Sequence, residues 1–261
     1  MYPITITNIL VFCKANMKTE FNIIYKQSIA STNDEAKKIL QIGKTEDFTI
    51  ISANEQLTGR GQRKNTWHSQ KGQNLTFSII TFPSFIKVSD QFYLSKVISL
   101  GIIEYLNTKE QKFKIKWPND IYFNDKKICG ILIENSISGS IIKSSVIGIG
   151  LNINQSKFPE YLPKAVSLFN INNKEYNLEE ELNKLLVYIF KKYSYLKTKS
   201  YPEIDNLYLN NLYKLNELSE YKDSAGFFKG KITGTLPEGK LIIKTEEDQI
   251  RTYSFKEVEF I

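Results

Sequence analysis

The stretch Val146-Ile147-Gly148-Ile149-Gly150-Leu151-Asn152-Ile153-Asn154 divides by parity. In an extended strand successive side chains point to opposite sides, so Ile147, Ile149, Leu151 and Ile153 share one face, and Gly148, Gly150, Asn152 and Asn154 the other. One face builds core; the other is nearly bare. Glycine weakens a strand interior and marks a bulge or the close approach of a ligand or another backbone. Two alternate glycines followed by an asparagine therefore read as the floor of a ligand site, with close packing of a helix as the equal alternative.

Outward from that strand, hydrophobic periodicity predicts further strands at 21–25, 48–53, 113–117, 121–123 and 128–134, with a turn at Asn124-Asp125-Lys126 joining the last two as a hairpin. Leu75, Phe77 and Ile79 alternate with Thr76 and Ser78, a strand whose polar face can serve a site. Helical spacing predicts helices at 31–41, 89–107, 178–193 and 202–213, the first opened by a capping-box spacing of Thr32 and Glu35. After Leu215 the chain turns to short β-like runs separated by Pro237-Glu238-Gly239 and Glu246-Glu247-Asp248, a small all-β barrel too small to be stable without docking. The expected fold is α+β, a mixed sheet backed by helices, with a larger domain at 17–213 and a β-barrel domain at 214–261.

Composition narrows the function class. At 261 residues, 41% hydrophobic and 24% charged, the chain is an ordinary globular protein with room for one large core and a small extra domain. The net charge of +7 comes mostly from lysines dispersed along the chain, and reads as compositional bias more than as a nucleic-acid footprint. Cys13 and Cys129 resemble neither a disulfide framework nor a metal site, and a single histidine, His68, excludes a histidine cluster. A reducing cytoplasm is the expected compartment. The apolar run 4–12 is too short to cross a bilayer and lacks the flanks of a targeting signal. Because an ordinary polar-then-strand pattern begins at Met17, residues 1–16 are expected to be a misassigned start or an unstructured extension. An intact mass of the natively expressed protein matching the full chain would refute the former.

Two of the three arginines, Arg60 and Arg63, lie in Gly59-Arg60-Gly61-Gln62-Arg63, with Trp67 close behind. Arginine offers a planar, permanently charged fork that lysine cannot copy, and flanking glycines bare backbone N–H groups, a combination suited to phosphate or carboxylate. Lys116-Trp117-Pro118-Asn119-Asp120 closes a strand, since Pro118 cannot donate to the ladder, and places Lys116 on the face opposite Ile115 and Trp117. Ser31-Thr32-Asn33 holds more hydrogen-bonding groups than a helix cap uses, so the surplus can bind a small polar ligand.

Together these segments resemble biotin-protein ligases: Ser31-Thr32-Asn33 with Gln56, Gly59 to Arg63 with Trp67, Lys116 to Asp120, Gly130-Ile131-Leu132, and Gly148 to Asn152, five motifs in the family's order. The resemblance implies a catalytic domain related to class II aminoacyl-tRNA synthetases and an SH3-like C-terminal barrel. It also implies a two-step reaction, in which the biotin carboxylate attacks the α-phosphate of ATP to give biotinyl-AMP and a carrier lysine then takes the acyl group. By resemblance, Ser31, Thr32, Asn33 and Gln56 contact the biotin ring, with Gly59, Arg60, Gly61, Gln62, Lys116 and Gly130 completing the biotin site. Arg60, Arg63, Trp67, Asn119, Gly148, Gly150 and Asn152 serve the nucleotide. Lys116 and Arg60, with Mg²⁺, neutralise charge as carboxylate meets triphosphate. The implied partner is the biotin carboxyl carrier protein of a biotin-dependent carboxylase, with no DNA and no membrane, and a homodimer through the central sheet is an expected assembly.

The chain departs from the family's commoner Arg-Gly-Arg-Arg-Gly in having Gln62 at the third position and Lys64 at the fifth, which bears on retention of the intermediate. Fewer than about thirty residues precede Ser31, too few for the helix-turn-helix of the family's repressors, so a ligase without repressor activity is expected. A lipoate or octanoate ligase or transferase shares the fold, but its Arg-Arg and Gly-Gly-Gly signature is missing. A basic nucleic-acid-binding module is the remaining alternative.

Overall fold

The computed structural model describes residues 5–12, 18–43, 45–62 and 65–261. Eight strands form the main sheet: β1 (Thr5–Phe12), β2 (Lys18–Lys26), β3 (Thr49–Ala53), β4 (Leu75–Thr81), β5 (Phe113–Lys116), β6 (Asp120–Phe123), β7 (Lys126–Ser138) and β8 (Ile141–Leu151). Their order is β1-β2-β3-β4-β8-β7-β6-β5, with β2 and β3 parallel and the other neighbours antiparallel. Helices are α1 (Thr32–Ile42), α2 (Phe92–Leu106), α3 (Leu168–Asn172), α4 (Leu178–Lys197) and α5 (Tyr201–Asn210).

Strands β3 and β4 are buried along their whole length because the sheet is covered on both faces. Ile50, Phe77, Ile79, Ile147, Ile149 and Leu151 join the large core with α2 and α4. Ile51, Ile80 and Val146, offset by one residue and so on the opposite face, pack on Ala36 of α1. Among the described residues no helix is long and apolar enough to cross a membrane.

Helix α2 meets α4 at Gly101, where an added Cβ would lie 2.7 Å from Ile189 Cα and 3.0 Å from its nitrogen. Backbone cannot yield as a side chain can, so Gly101→Ala should destabilise the protein by about 2 kcal/mol, as overpacking does. A urea midpoint that drops at unchanged m would show it, and an unmoved midpoint would refute it.

Two expectations need correction. The unstructured alternative for residues 1–16 does not describe Thr5–Phe12, which pairs antiparallel with β2. The outer edge of β2 otherwise presents unpaired N–H and C=O groups, and a strand satisfies them. The capping box also fails: Ser31, not Thr32, is the N-cap residue, and its side chain makes no capping hydrogen bond. The Thr32 hydroxyl is instead drawn inward, toward Gln56 and Ser78.

The C-terminal sheet comprises β9 (Leu218–Asp223), β10 (Gly226–Thr235), β11 (Leu241–Thr245), β12 (Ile250–Tyr253) and β13 (Glu259–Phe260), ordered β12-β11-β10-β9-β13. Sequence periodicity misses β9 and β13, which are polar or very short: β9 owes its form to pairing with β10, and β13 to pairing with β9. Trp117 docks this unit by donating its indole N–H to the Gly239 carbonyl at 2.8 Å. Phe92 fills the space beside Gly239, where a Cβ would meet the ring at 2.6 Å.

Candidate functional site

Register assembles the site. On the face toward α1, cross-strand partners run Ala53, Thr76, Gly150, Gly130, Asp120 and Lys116 in one row across β3, β4, β8, β7, β6 and β5. The next row carries Ile51, Ser78, Gly148 and Leu132, and the one beyond it Thr49, Ile80, Val146 and Glu134. Over three rows the face passes from apolar residues under α1 to hydroxyls and bare glycines. A cleft of about 620 Å³ opens over the bare part, its floor including Gly130, Gly148 and Gly150.

Strand β2 leads into α1, whose first residues line one part of the cleft. The Thr32 N–H donates to Gln56 Oε1 at 2.7 Å, fixing the Gln56 amide against the helix start. Asn33 is engaged at both ends: Nδ2 donates to Glu134 Oε2 at 2.8 Å, and Oδ1 accepts from Ser78 Oγ at 2.6 Å. Asn33, expected to bind a ligand directly, lines the cleft with both ends of its amide already hydrogen-bonded within the protein. Gly148 makes this possible, since a Cβ there would lie 2.2 Å from Asn33 Oδ1.

The other glycines give way to Trp67. A Cβ on Gly150 would lie 2.2 Å from Trp67 Cε2, and one on Gly130 3.0 Å from its Cζ3. The bare face expected to receive a nucleotide thus also receives Asn33 and an indole, because close packing fills the slot that a paired glycine row leaves. Trp67 Nε1 and Gln62 Oε1 are buried without a protein hydrogen-bond partner, and such atoms ordinarily have one. Gly59 does not line the cleft. Its carbonyl accepts from Trp67 N–H at 2.9 Å, and its lack of Cβ lets the Trp67 carbonyl pass.

Arg60, expected to face an anion, is ion-paired to Asp34 and, at 2.9 Å, to Glu134. Burial works against its charge, but Glu134 and then Asp34 outweigh it and raise its pKa. Glu134 also binds Lys37 at 2.7 Å. Burial pushes its carboxyl up, and Lys37, Asn33 and Arg60 together hold it below the ordinary carboxylate range. The Arg60 and Asp34 side chains are 38% and 42% exposed, and such pairs contribute no more than about 1 kcal/mol. Release of Arg60 from Asp34 therefore costs little, and the less exposed Glu134 is the partner that holds it.

Lys116 stands at the end of the glycine row, its Nζ 3.1 Å from Tyr122 Oη and 5.0 Å from the Phe260 ring centre. Burial pushes its ammonium below the ordinary lysine pKa, Lys164, Lys127 and Lys214 add to this, and Asp120 opposes it. Lys127 is the residue that sequence reading passed over, one lysine among many. It lines the cleft, pairs with Asp120 at 2.8 Å, and lies 5.6 Å from the Trp67 ring centre. The C-terminal unit, unexpectedly, supplies Phe255, Lys256, Val258, Glu259 and Phe260 to the lining. Four cationic side chains, Arg60, Lys116, Lys127 and Lys256, face two carboxylates, Asp120 and Glu259, a balance that suits an anionic ligand.

Of the remaining expected residues, Ser31, Thr32, Gln56, Gly61, Gln62 and Asn119 line the cleft. Arg63 lies outside the described residues. Asn152 does not reach the cleft: it is buried at the end of β8, where its amide donates to the Val166 carbonyl at 3.0 Å. Parity put it on the bare face, but the chain leaves the strand at Leu151. His68, given no role, contacts Tyr161 Oη at 3.4 Å.

Residues 25–152 match the sequence profile of the Biotin/lipoate A/B protein ligase family. The bifunctional ligase/repressor BirA of Bacillus subtilis (strain 168) is 30% identical over 247 residues, 91% of this chain and 75% of that protein. The biotin–[acetyl-CoA-carboxylase] ligase of Paracoccus denitrificans is 33% identical over 126 residues, 47% of this chain and 51% of that one. Among solved structures, the biotin protein ligase of Aquifex aeolicus in complex with biotin and ATP superposes with a TM-score of 0.78 at 30% identity, covering 92% of this chain and 98% of that one.

Proposed function

This chain belongs to the biotin protein ligase family and has biotin protein ligase activity, and from that premise we propose how its cleft performs the reaction. Biotin lies with its ring at Thr32 and Gln56 and its carboxylate toward Lys116. There it attacks the α-phosphate of ATP, forming biotinyl-AMP and releasing pyrophosphate. A lysine amine of a biotin carboxyl carrier protein then takes the acyl group and AMP leaves. The observation that carries this reading is one cleft joining a neutral hydrogen-bonding pair, Thr32 and Gln56, to the cations Lys116 and Lys127.

Each residue has a task set by its surroundings. Two anions repel as carboxylate approaches phosphate, so Lys116 and Lys127, positioned beforehand by Tyr122 and Asp120, stabilise the charge that builds there. Arg60 exchanges its exposed pair with Asp34 for the ligand as its segment closes, excluding the water that would hydrolyse an acyl phosphate. The unpartnered Trp67 N–H is the donor available to the adenylate.

Magnesium fits this cleft as an ion that arrives with ATP. Among the described residues no three acidic, cysteine or histidine side chains form a metal cage. Asp120 and Glu259 line the cleft, and Mg²⁺ is commonly held by one or two carboxylates plus substrate phosphates. When bound, it neutralises phosphate charge. Self-association through the central sheet completes the proposal, with Ile137 and Ile141 exposed on the β7–β8 hairpin as apolar surface for it. Sedimentation at micromolar concentration checks that assembly.

ATP–pyrophosphate exchange, run separately with biotin, lipoate and octanoate, tests the reading. Biotin alone should stimulate exchange; stimulation by lipoate would reassign the substrate. The cleft residue Gln62 carries a second expectation. It brings no charge toward the acyl phosphate where the family's commoner pattern brings an arginine, and one charge-assisted hydrogen bond corresponds to about tenfold in affinity. In the absence of carrier, released biotinyl-AMP should therefore fall by about that factor in Gln62→Arg. Equal release from both proteins would refute it.

A further inference from the structure

The hydrogen-bonding groups beneath the ring site form a chain that begins at a charge. Asn33 Nδ2 lies 2.8 Å from Glu134 Oε2. An ionised carboxylate only accepts, so the amide nitrogen must be the end that faces it, and Oδ1 must face Ser78. Ser78, fully buried, has its Oγ 2.6 Å from Asn33 Oδ1 and 2.7 Å from Thr32 Oγ1. A hydroxyl has one proton, and because Oδ1 cannot donate, the Ser78 proton goes to Asn33. The contact between the two hydroxyls is then filled by the proton of Thr32. Gln56 Oε1 could accept this proton as well as the Thr32 backbone N–H, but it lies 3.1 Å from Thr32 Oγ1 against 2.7 Å for Ser78 Oγ, which has no other proton to fill its contact.

We propose that Glu134 is a positioning residue for ring recognition, acting through Asn33 and Ser78 to turn the Thr32 hydroxyl inward so that Thr32 Oγ1 meets the ligand only as an acceptor. Gln56, with its Oε1 engaged, keeps its Nε2 protons as donors. An acceptor and a donor side by side complement the N–H and C=O of a cyclic urea. They reject an alkyl chain or a dithiolane, which leaves both unpaired. Gly148 is part of the device, since any side chain there would displace Asn33. Because Glu134 also pairs with Arg60, the ring site and the closing segment share one carboxylate. This inference rests on the assignment of the biotin ring to Thr32 and Gln56.

The test is titration of the full chain with biotin, together with steady-state kinetics, for wild type, Ser78→Ala, Glu134→Gln, Glu134→Asp and the Ser78→Ala/Glu134→Gln double variant. Ser78→Ala is nearly isosteric, leaves the Arg60 pairs untouched and frees the Thr32 proton to compete with the ligand. Biotin affinity should fall by about tenfold, carried by KM with kcat at saturating biotin little changed. Glu134→Gln, which can present an amide donor to Asn33 and invert it, should match that loss, and Glu134→Asp should recover part of it. The double variant should be no weaker than the poorer single by more than about twofold, since both break one chain. Wild-type affinity in Ser78→Ala, or losses that simply add in the double variant, would overturn the inference while the ligase reading stands. A wild-type chain that bound no biotin would overturn both.

Discussion

Replacing Lys116 by alanine should lower adenylate formation by about two to three orders of magnitude, the loss typical of a preorganised donor facing transition-state charge. The size follows from where the side chain sits. Lys116 is partly desolvated between Tyr122 and Phe260, so its charge acts through a poorer dielectric than water and no solvent cation replaces it. The fall should appear in kcat for pyrophosphate exchange, with biotin affinity changed far less, because the ring is held elsewhere. Near-normal exchange would remove Lys116 from the mechanism. The pH dependence gives an independent reading. Burial lowers the pKa of this ammonium, so the catalytically competent, protonated form is present below that lowered value and lost as pH rises through it. The alkaline limb should therefore begin below the ordinary lysine pKa of about 10.4. Lys116→Arg, whose guanidinium stays charged there, should lack the limb whatever its absolute rate.

Gly150→Ala should cost about a hundredfold in adenylation while leaving the fold intact. A methyl group would be built 2.2 Å from an indole carbon of Trp67, well inside contact distance, so the ring must shift by more than an ångström. Misplacement of that size near reacting groups costs about 10²-fold. The clash is with a side chain on a loop, which can swing out, so thermal stability should change little. Gly101→Ala is the contrast, because there the clash is with backbone inside a helix pair. Intrinsic tryptophan fluorescence should report the displaced Trp67. A variant with wild-type exchange rate would show that Trp67 does not set the nucleotide's position.

Much of this was legible in the linear chain, for physical reasons that differ from element to element. The parity of 146–151 and of 75–79 is local, because side-chain alternation is a property of the strand itself, and it correctly separates the two faces; it fails at Asn152, where the strand has ended. Helix α4 shows its apolar stripe through an equally local periodicity, whereas α2 is buried nearly all round. The short motifs around Thr32, Arg60, Lys116 and Gly150 were visible because glycine, proline and arginine are unusual in their local settings. Lys127 and the 255–260 segment were not, since a lysine among many lysines, or a phenylalanine in a barrel, carries no local mark of the cleft it will line.

The sequence by itself determined an α+β chain, its strand faces, its separate C-terminal barrel, and the family to which its motifs belong. Only the tertiary structure decided what meets what. Cross-strand register placed Gly150, Gly130, Asp120 and Lys116 in one row. Packing put Asn33 and Trp67 on the bare glycine face, and ion pairing turned Arg60 toward Asp34 and Glu134. Alternation and propensity act between neighbours in the chain. Register, contact and charge pairing are settled between residues tens of positions apart, where the energy depends on the partner and no local pattern records it.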